Sequence, residues 1–411
     1  MHVVIFEGQN WPSFAPVSLS RPVFMLRCGL GTLLDQSIRT LKPKRLTLWV
    51  RPGLAEYCRR EIVPTLKVPT EVNKPLDDEP AMISSGRCVH LQPYEYPNEQ
   101  SIVLDESNLI RQAFVQSPGL SPEDVMRRTP AWMKFRDLPA APPQSRLPQY
   151  LWDLTNWNEE AIVADAIDLH GKAAAHPAGP YHLVNPENIH LDKAVTIEPG
   201  VVLDASKGPI VVQSHVRLGA NSVIQGPCFI GSYTQVASVA YIRPGCTIGP
   251  GCKVGGEIAS SIILGNSNKV HEGYLGDSYL GEWVNLGAGT TTSNLKNTYG
   301  RITMRIGEQE IKTDRRFLGS MIGDHTKTAI GTRLMSGTYI GYCTLIASSA
   351  IPPRFVPSFT YLTDKGTEKY RLDKAADMMT QVFGRRGINW TDLDRELVEY
   401  VAKTAGDVEG T

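Results

Sequence analysis

From residue 218 to 254 the chain reads LGANSV IQGPCF IGSYTQ VASVAY IRPGCT IGPGCK V, and an aliphatic residue opens every hexad: Leu218, Ile224, Ile230, Val236, Ile242, Ile248, Val254. The next position is mostly small (Gly219, Gly231, Ala237, Gly249, Gly255). A second small side chain sits four places after each aliphatic, at Ser222, Cys228, Thr234, Ala240, Cys246 and Cys252. A six-residue period matches neither the 3.6 of a helix nor the 2 of a strand. It predicts a chain that turns a corner every hexad, three corners closing one coil of a left-handed parallel β-helix. The aliphatic points inward, the following small residue lets the backbone turn, and the other small side chain fills the narrow interior.

The frame extends upstream through Leu191, Ile197 and Leu203, slips over residues 205–209 and resumes at Val212. Downstream it returns at Leu280 and Leu286, then at Leu334, Ile340 and Ile346. The interruptions near 256–279 and 292–320 read as loops or irregular rungs, where repeat folds tend to carry function.

Before the repeat, Val3–Phe6, Arg45–Val50 and Ser101–Asp105 read as strands, and Leu33, Leu34, Ile38 and Leu41 space out a helix. Strands alternating with a helix suggest an α/β domain with a mostly parallel sheet. A proline-rich stretch from Leu138 to Pro148 reads as a stiff linker. Asn156-Trp157-Asn158-Glu159 then resembles a capping box opening a connecting helix. After Pro357 helical spacing returns, with Ala375, Ala376, Met379, Val382 and Phe383 on one stripe and Thr391–Asp394 capping a second helix. Arg385-Arg386-Gly387 between them reads as a helix stop, or as a phosphate contact. The expected division is 1–137 for the α/β domain, 138–172 for linker and connecting helix, 173–356 for the β-helix and 357–411 for a helical tail.

Lys+Arg and Asp+Glu each number 42, so the formal net charge is zero, which argues against a broad grip on nucleic acid. No stretch approaches the roughly 18 apolar residues of a membrane span, and the opening Met1–Phe6 lacks the flanks of a signal peptide. The seven cysteines are unpaired in spacing, as expected for free thiols in a cytoplasmic setting. Cys228, Cys246 and Cys252 occupy the inward small slot and read as core filler.

The densest polar cluster is Asn268-Lys269-Val270-His271-Glu272-Gly273-Tyr274-Leu275-Gly276-Asp277. A neutral imidazole at His271, in a groove between coils, can take a proton from an amine attacking a thioester. The plainer alternative is a hydrogen-bonded rung histidine. Three histidine ligands for zinc at a coil interface are not available, since only His271 and His325 follow His215.

His271–Asp277, with Val284–Thr290, Asn294 and Phe317–Ser320, resembles the acetyltransferase half of the bifunctional glucosamine-1-phosphate acetyltransferase / N-acetylglucosamine-1-phosphate uridylyltransferase. The whole chain looks more closely like the GlmU-like sugar nucleotidyltransferase family, an alternative bacterial branch of that bifunctional enzyme. Trp152-Asp153-Leu154, Asn297–Gly300 and Gly323–Thr328 carry that likeness. The resemblance implies an α/β nucleotidyltransferase-like domain followed by a β-helix acyltransferase, with acetyl-CoA as co-substrate and Mg²⁺ for nucleotidyl transfer. It implies His271 as general base, Arg243 on the sugar phosphate, and Tyr274 and Asn285 on the sugar, with Asn294 and Ser320 near the acetyl group and coenzyme A. Its partners would be a sugar phosphate, a nucleotide triphosphate or nucleotide sugar, and two further copies of the chain in a homotrimer.

Two departures stand out. The better-known enzyme has a phosphate-binding lysine in the rung before the histidine; Ile258–Ser261 has none, which leaves Lys269 as the substitute. The nucleotidyltransferase loop ending in Gly-Thr-Arg is replaced by Glu7-Gly8-Gln9-Asn10-Trp11-Pro12, so phosphate contacts fall to Arg21 and Arg27. Ser84–Arg87 stands where a metal-binding Gly-Asp is usual, leaving Asp105 as the candidate Mg²⁺ ligand. A second reading keeps the β-helix as a trimerisation scaffold and the α/β domain as a nucleotide-sugar binder without turnover.

Overall fold

The computed structural model describes the chain except residues 78, 117–118, 127–134, 136 and 170–177. It falls into two compact units: residues 1–14, 20–26 and 31–149, and residues 15–19, 27–30 and 150–411.

In the first unit, strand β1 (His2–Phe6) lies between β2 (Arg45–Trp49) and β4 (Ala81–Ser85), parallel to both. β3 (Thr70–Val72) extends the parallel edge, while β5 (Ser101–Leu104) and β6 (Ile110–Val115) complete the sheet antiparallel. All five residues of β1 are buried, as a central strand covered on both faces requires. Helix α1 (Leu33–Leu41) starts at a capping box in which Asp35 N donates to the Thr32 hydroxyl at 3.1 Å. The proline-rich stretch is bonded along this sheet: Ala141 N donates to Ile102 O, and Val89 and Arg146 form an antiparallel bridge.

In the second unit the hexads build a parallel β-solenoid. Cys228 pairs with Cys246 and Val236 with Val254, so one regular coil takes three hexads. Inward aliphatics stack in columns, among them Ile224–Ile242–Ile258 and Ile230–Ile248–Ile263–Leu280–Ile322–Ile340. They form one continuous core with Cys228, Cys246 and Cys252, all fully buried.

The small residue after each aliphatic is small for a reason other than turning. A Cβ on Gly249 would lie 1.6 Å from Leu264 O, and one on Gly255 would lie 2.0 Å from Val270 O. The neighbouring coil's backbone occupies that space. The left-handed corners fall elsewhere, at Asn221, Tyr233 and Val239.

Of the two readings, residues 256–279 are irregular rungs and not a loop. Glu257–Ala259, Ile262–Gly265, Asn268–Lys269 and Tyr274–Gly276 are all ladder strands. The coil joining Val254 to Lys269 is three residues short, and that shift hides the frame. The second interruption is an excursion: the ladder steps directly from Leu280 to Ile322, and the intervening chain forms the antiparallel hairpin Thr303–Ile306 / Gln309–Lys312.

Helix α2 (Leu151–Asp165) begins earlier than the sequence suggests. Tyr150 N donates to Asp153 Oδ2 at 3.0 Å and caps it, which puts Asn156–Glu159 inside the helix. Asn158, buried there, accepts from Gly29 N and Thr247 Oγ1 and donates to Gly245 O, fastening α2 to the coils. After the solenoid come α3 (Leu372–Gly384) and α4 (Asp392–Glu409), the latter capped by Thr391 and Asp394 as the sequence predicts. All seven cysteines are buried and none is in a disulfide. No helix among the described residues is long and apolar enough to cross a membrane.

Candidate active site

One face of the solenoid carries an open cleft of about 730 Å³. Its walls include Arg243, Tyr274, Asp277, Asn294, Arg315 and Arg316. Ladder pairing brings these residues together: Tyr274 stands beside Glu257, which in turn stands beside Tyr241, two residues before Arg243. Asn294 arrives from the start of the excursion. Its amide donates to Tyr274 Oη at 3.1 Å and to Asp277 Oδ2 at 2.6 Å.

Burial raises the Asp277 carboxyl above the usual carboxylate range, against the pull of Asn294 and Arg243. The Tyr274 phenol is pushed up by burial first and by Asp277 second. Arg243 is half exposed and ion-paired to Glu257 at 3.0 Å, an arrangement that leaves part of the guanidinium open to a ligand oxygen. Arg315 is held by Asp153 at 2.7 Å, so the Trp152-Asp153-Leu154 motif positions a cleft arginine. Three guanidiniums over one cleft suit an anionic, phosphate-bearing ligand.

His271 lies outside this lining, on the exposed corner between Asn268–Lys269 and Tyr274–Gly276. Lys269 does not line the cleft. It stands in the inward column below Val254, buried, and its Nζ donates to the carbonyls of Gly255 at 2.9 Å and His271 at 2.8 Å. Desolvation lowers its pKa to about 8.

Asn285 is not in the cleft either. It belongs to the ladder row Lys253–Asn268–Asn285–Lys327, on a different face of the prism from Tyr274. Asn268 Nδ2 donates to its Oδ1 at 3.2 Å. Ser320 is fully buried in the ladder beside Thr338, and its hydroxyl finds no partner. Within one chain, then, Arg243, Tyr274 and Asn294 share a cleft, while His271 sits at a neighbouring corner and Asn285 and Ser320 lie elsewhere.

Sequence reasoning gave no role to Asp277, Arg315 or Arg316. The signal was present for the arginines, a dipeptide just ahead of Phe317-Leu318-Gly319-Ser320, but the link of Arg315 to Asp153 spans too many residues for any local pattern.

In the first unit, the carboxyl ends of the parallel strands β1, β2 and β4 lead into Glu7, Val50-Arg51 and Gly86-Arg87. Ligands of open α/β sheets bind at such an edge. Glu7 is fully buried there, ion-paired with Arg51 and accepting from Val23 N and Arg51 N. Burial raises its pKa while Arg51 opposes the rise. The Arg51 guanidinium lies 3.9 Å over the Trp11 ring, and Arg51 Nη2 donates to the carbonyl of the buried Arg21. Arg27 belongs to the second unit, where its backbone exchanges hydrogen bonds with Tyr279 Oη.

Asp105 does not fit a Mg²⁺ site. Arg87 holds its Oδ2 at 3.2 Å, Ser107 N and Leu109 N both donate to its Oδ1, and both side chains of the pair are 3% exposed. No cluster of three metal-binding side chains exists among the described residues.

With this geometry in place, comparison with known proteins is informative. Residues 3–172 match the sugar nucleotidyl transferase family model. The bifunctional protein GlmU of Methanococcus vannielii is 35% identical over 134 residues, 32% of this chain and 32% of its own. The bifunctional sugar-1-phosphate nucleotidylyltransferase/acetyltransferase of Sulfurisphaera tokodaii is 29% identical over 43% of this chain and 45% of its own. GlmU of Methanocaldococcus jannaschii is 33% identical over 44% and 46%. The chain thus spans between about a third and a half of the length of these relatives. A solved UDP-N-acetylglucosamine acyltransferase from Francisella novicida aligns more loosely, at 14% identity and TM-score 0.27 over 56% of this chain and 91% of its own. The GlmU-like kinship read from His271–Asp277 and its companions agrees with these relatives.

Proposed function

We propose that the chain is a bifunctional transferase. Its solenoid moves an acetyl group from acetyl-CoA to the amine of a hexosamine 1-phosphate, and its α/β unit handles the corresponding nucleotide sugar. The observation that carries this reading is the cleft where Arg243, Arg315 and Arg316 surround the Tyr274–Asn294–Asp277 hydrogen bonds, next to the corner bearing His271.

The arginines hold the sugar phosphate, and Tyr274 and Asn294 orient the sugar. His271 takes the amine proton as the nitrogen attacks the thioester carbonyl; the C–N bond forms, the C–S bond breaks, and the proton passes to the departing thiolate. The resemblance to the trimeric family leads us to expect a homotrimer with this site between subunits. Acyl transfer is tested by thiol release from acetyl-CoA with a panel of hexosamine phosphates. Light scattering at micromolar concentration tests assembly, and a monomer counts against a site shared between subunits.

For the α/β unit, one observation favours binding without turnover. Glu7 fills the phosphate-loop position and is neutralised by Arg51, and Asp105 is taken by Arg87. Pyrophosphate release from nucleotide triphosphates with sugar 1-phosphates decides between transfer and binding alone.

A further inference from the structure

A second cleft, of about 260 Å³, opens on the Lys253–Asn268–Asn285–Lys327 face where the end of α3 meets the coils. Lys253, Lys327, Arg385 and Arg386 line it together with Asn266, Asn268, Asn285 and Trp283, and among the described residues no carboxylate does.

Its walls are fixed. Phe383 packs on Trp283 with ring centroids 4.5 Å apart and lies 6.1 Å from His325, which locks the end of α3 to the coil. Arginines ending a helix ordinarily satisfy its own last carbonyls. Arg386 instead leaves the helix: Nη1 donates to Gly251 O at 2.9 Å and Nη2 to Asn268 Oδ1 at 3.0 Å.

That last bond sets the polarity of the whole row. A guanidinium only donates, so Asn268 must present its oxygen to Arg386 and its NH₂ to Asn285 Oδ1, at 3.2 Å. Asn285 is then left with its own NH₂ as the outward group. Lys327 donates to Trp283 O and keeps its remaining ammonium hydrogens. Lys253 and Arg385 are exposed and reach the cleft without an acidic neighbour in its lining. The cleft is therefore rimmed by donors and positive charge, with no acceptor of matching sign.

Four cations brought together repel one another, and burial already pushes Lys327 down to about 8. A multiply charged oxyanion relieves both penalties; a carboxylate, with one charge and two coplanar oxygens, answers fewer of the donors. The volume lies below the roughly 300 Å³ at which pockets for drug-sized ligands begin, so it takes a phosphoryl or diphosphoryl group and leaves the rest of a larger ligand outside.

We propose that this cleft is a phosphoryl-binding site, taking the phosphate or diphosphate of a phosphorylated ligand between the solenoid and the Arg385-Arg386 end of α3. It is separate in the chain from the Arg243–Tyr274–Asn294 cleft and stands whether or not that cleft transfers acyl groups.

The test is calorimetric titration of the full chain with inorganic pyrophosphate, glucosamine 1-phosphate, coenzyme A and dephospho-coenzyme A. Wild type is compared with the double variant Lys253→Gln/Arg385→Gln, whose two exposed side chains make no structural hydrogen bond. The expected result is binding of at least one probe that weakens about 10-fold or more in the variant, two exposed charge contacts being lost. The probe that weakens names the source: coenzyme A over dephospho-coenzyme A points to its 3′-phosphate, glucosamine 1-phosphate to a sugar phosphate, and pyrophosphate alone to a free anion. Absence of binding by every probe, or equal binding by wild type and variant, overturns the proposal. Equal thermal melting of the two proteins shows that a loss is not misfolding.

Discussion

The Nζ of Lys269 donates to the backbone carbonyl of His271 at 2.8 Å from inside the prism. A lysine has taken a place in the column of Leu218, Val236 and Val254, and its ammonium staples the corner that carries the proposed base. The same nitrogen reaches Gly255 O, so two successive coils are tied at that corner.

That tie has a pH signature. The ordinary lysine value of 10.5 falls to about 8 in the folded chain. Between those values the unfolded chain keeps a proton that the folded chain has lost, so this group makes stability rise with pH from about 8 to 10.5. Below 8 its full burial penalty is present. Lys269→Met, which suits an aliphatic slot, is expected to flatten that rise, read as the difference between the two proteins' urea midpoints from pH 7 to 10.5. It is also expected to lower acetyl-transfer kcat more than it raises KM, because the His271 corner loses its anchor. Identical pH profiles would remove the charged staple from consideration.

His271 itself is exposed, as a structural rung histidine would not be. His271→Ala is expected to lower acyl-transfer turnover by roughly 10² or more with the melting temperature nearly unchanged. Full turnover in the folded variant would leave the amine without its base.

Among the described residues Arg243 is ion-paired with Glu257, itself half exposed, so its loss leaves that partner in solvent. Arg243→Ala is expected to raise the acceptor KM about 10-fold, one charge-assisted contact's worth, with a smaller change in kcat. Steady-state kinetics at saturating acetyl-CoA separate the two parameters. An unchanged KM would place the sugar phosphate somewhere else.

In the α/β unit the Arg87–Asp105 pair is expected to be structural. Arg87→Ala strands a carboxylate that is 3% exposed and is expected to cost about 3–5 kcal/mol of stability, measured by urea unfolding. Added Mg²⁺ is expected to restore none of it; restoration would reinstate Asp105 as a metal ligand.

The legible and illegible parts of this molecule divide on physical lines. Hexads from Leu218 to Val254 declare the solenoid because each coil repeats the same inward demand. The frame vanished after Val254 because the next coil is three residues short and its inward slot holds Lys269, so the stretch read as a loop or an irregular rung. The resemblance put Tyr274 and Asn285 on one sugar, and the two are close in sequence. In a triangular prism, however, a corner separates residues that few positions divide, and register unites those a full coil apart. Glu7–Arg51 and Arg315–Asp153 were out of reach for the same reason: each joins distant segments through side chains that carry no local period.

The glycines packed under foreign carbonyls have a mechanical meaning. Along the ladders each coil bonds only to the coils above and below it, so the prism resembles a column of stacked plates held in series. A single methyl group at Gly249, where Leu264 O already occupies the space, acts as a wedge between two plates. Across that fault side contacts would remain, such as those of Arg386, which bonds Gly251 O on one coil and Asn268 Oδ1 on the next. The fault would open the column at that height and leave two shorter stacks, each exposing the hydrophobic end that the other had covered.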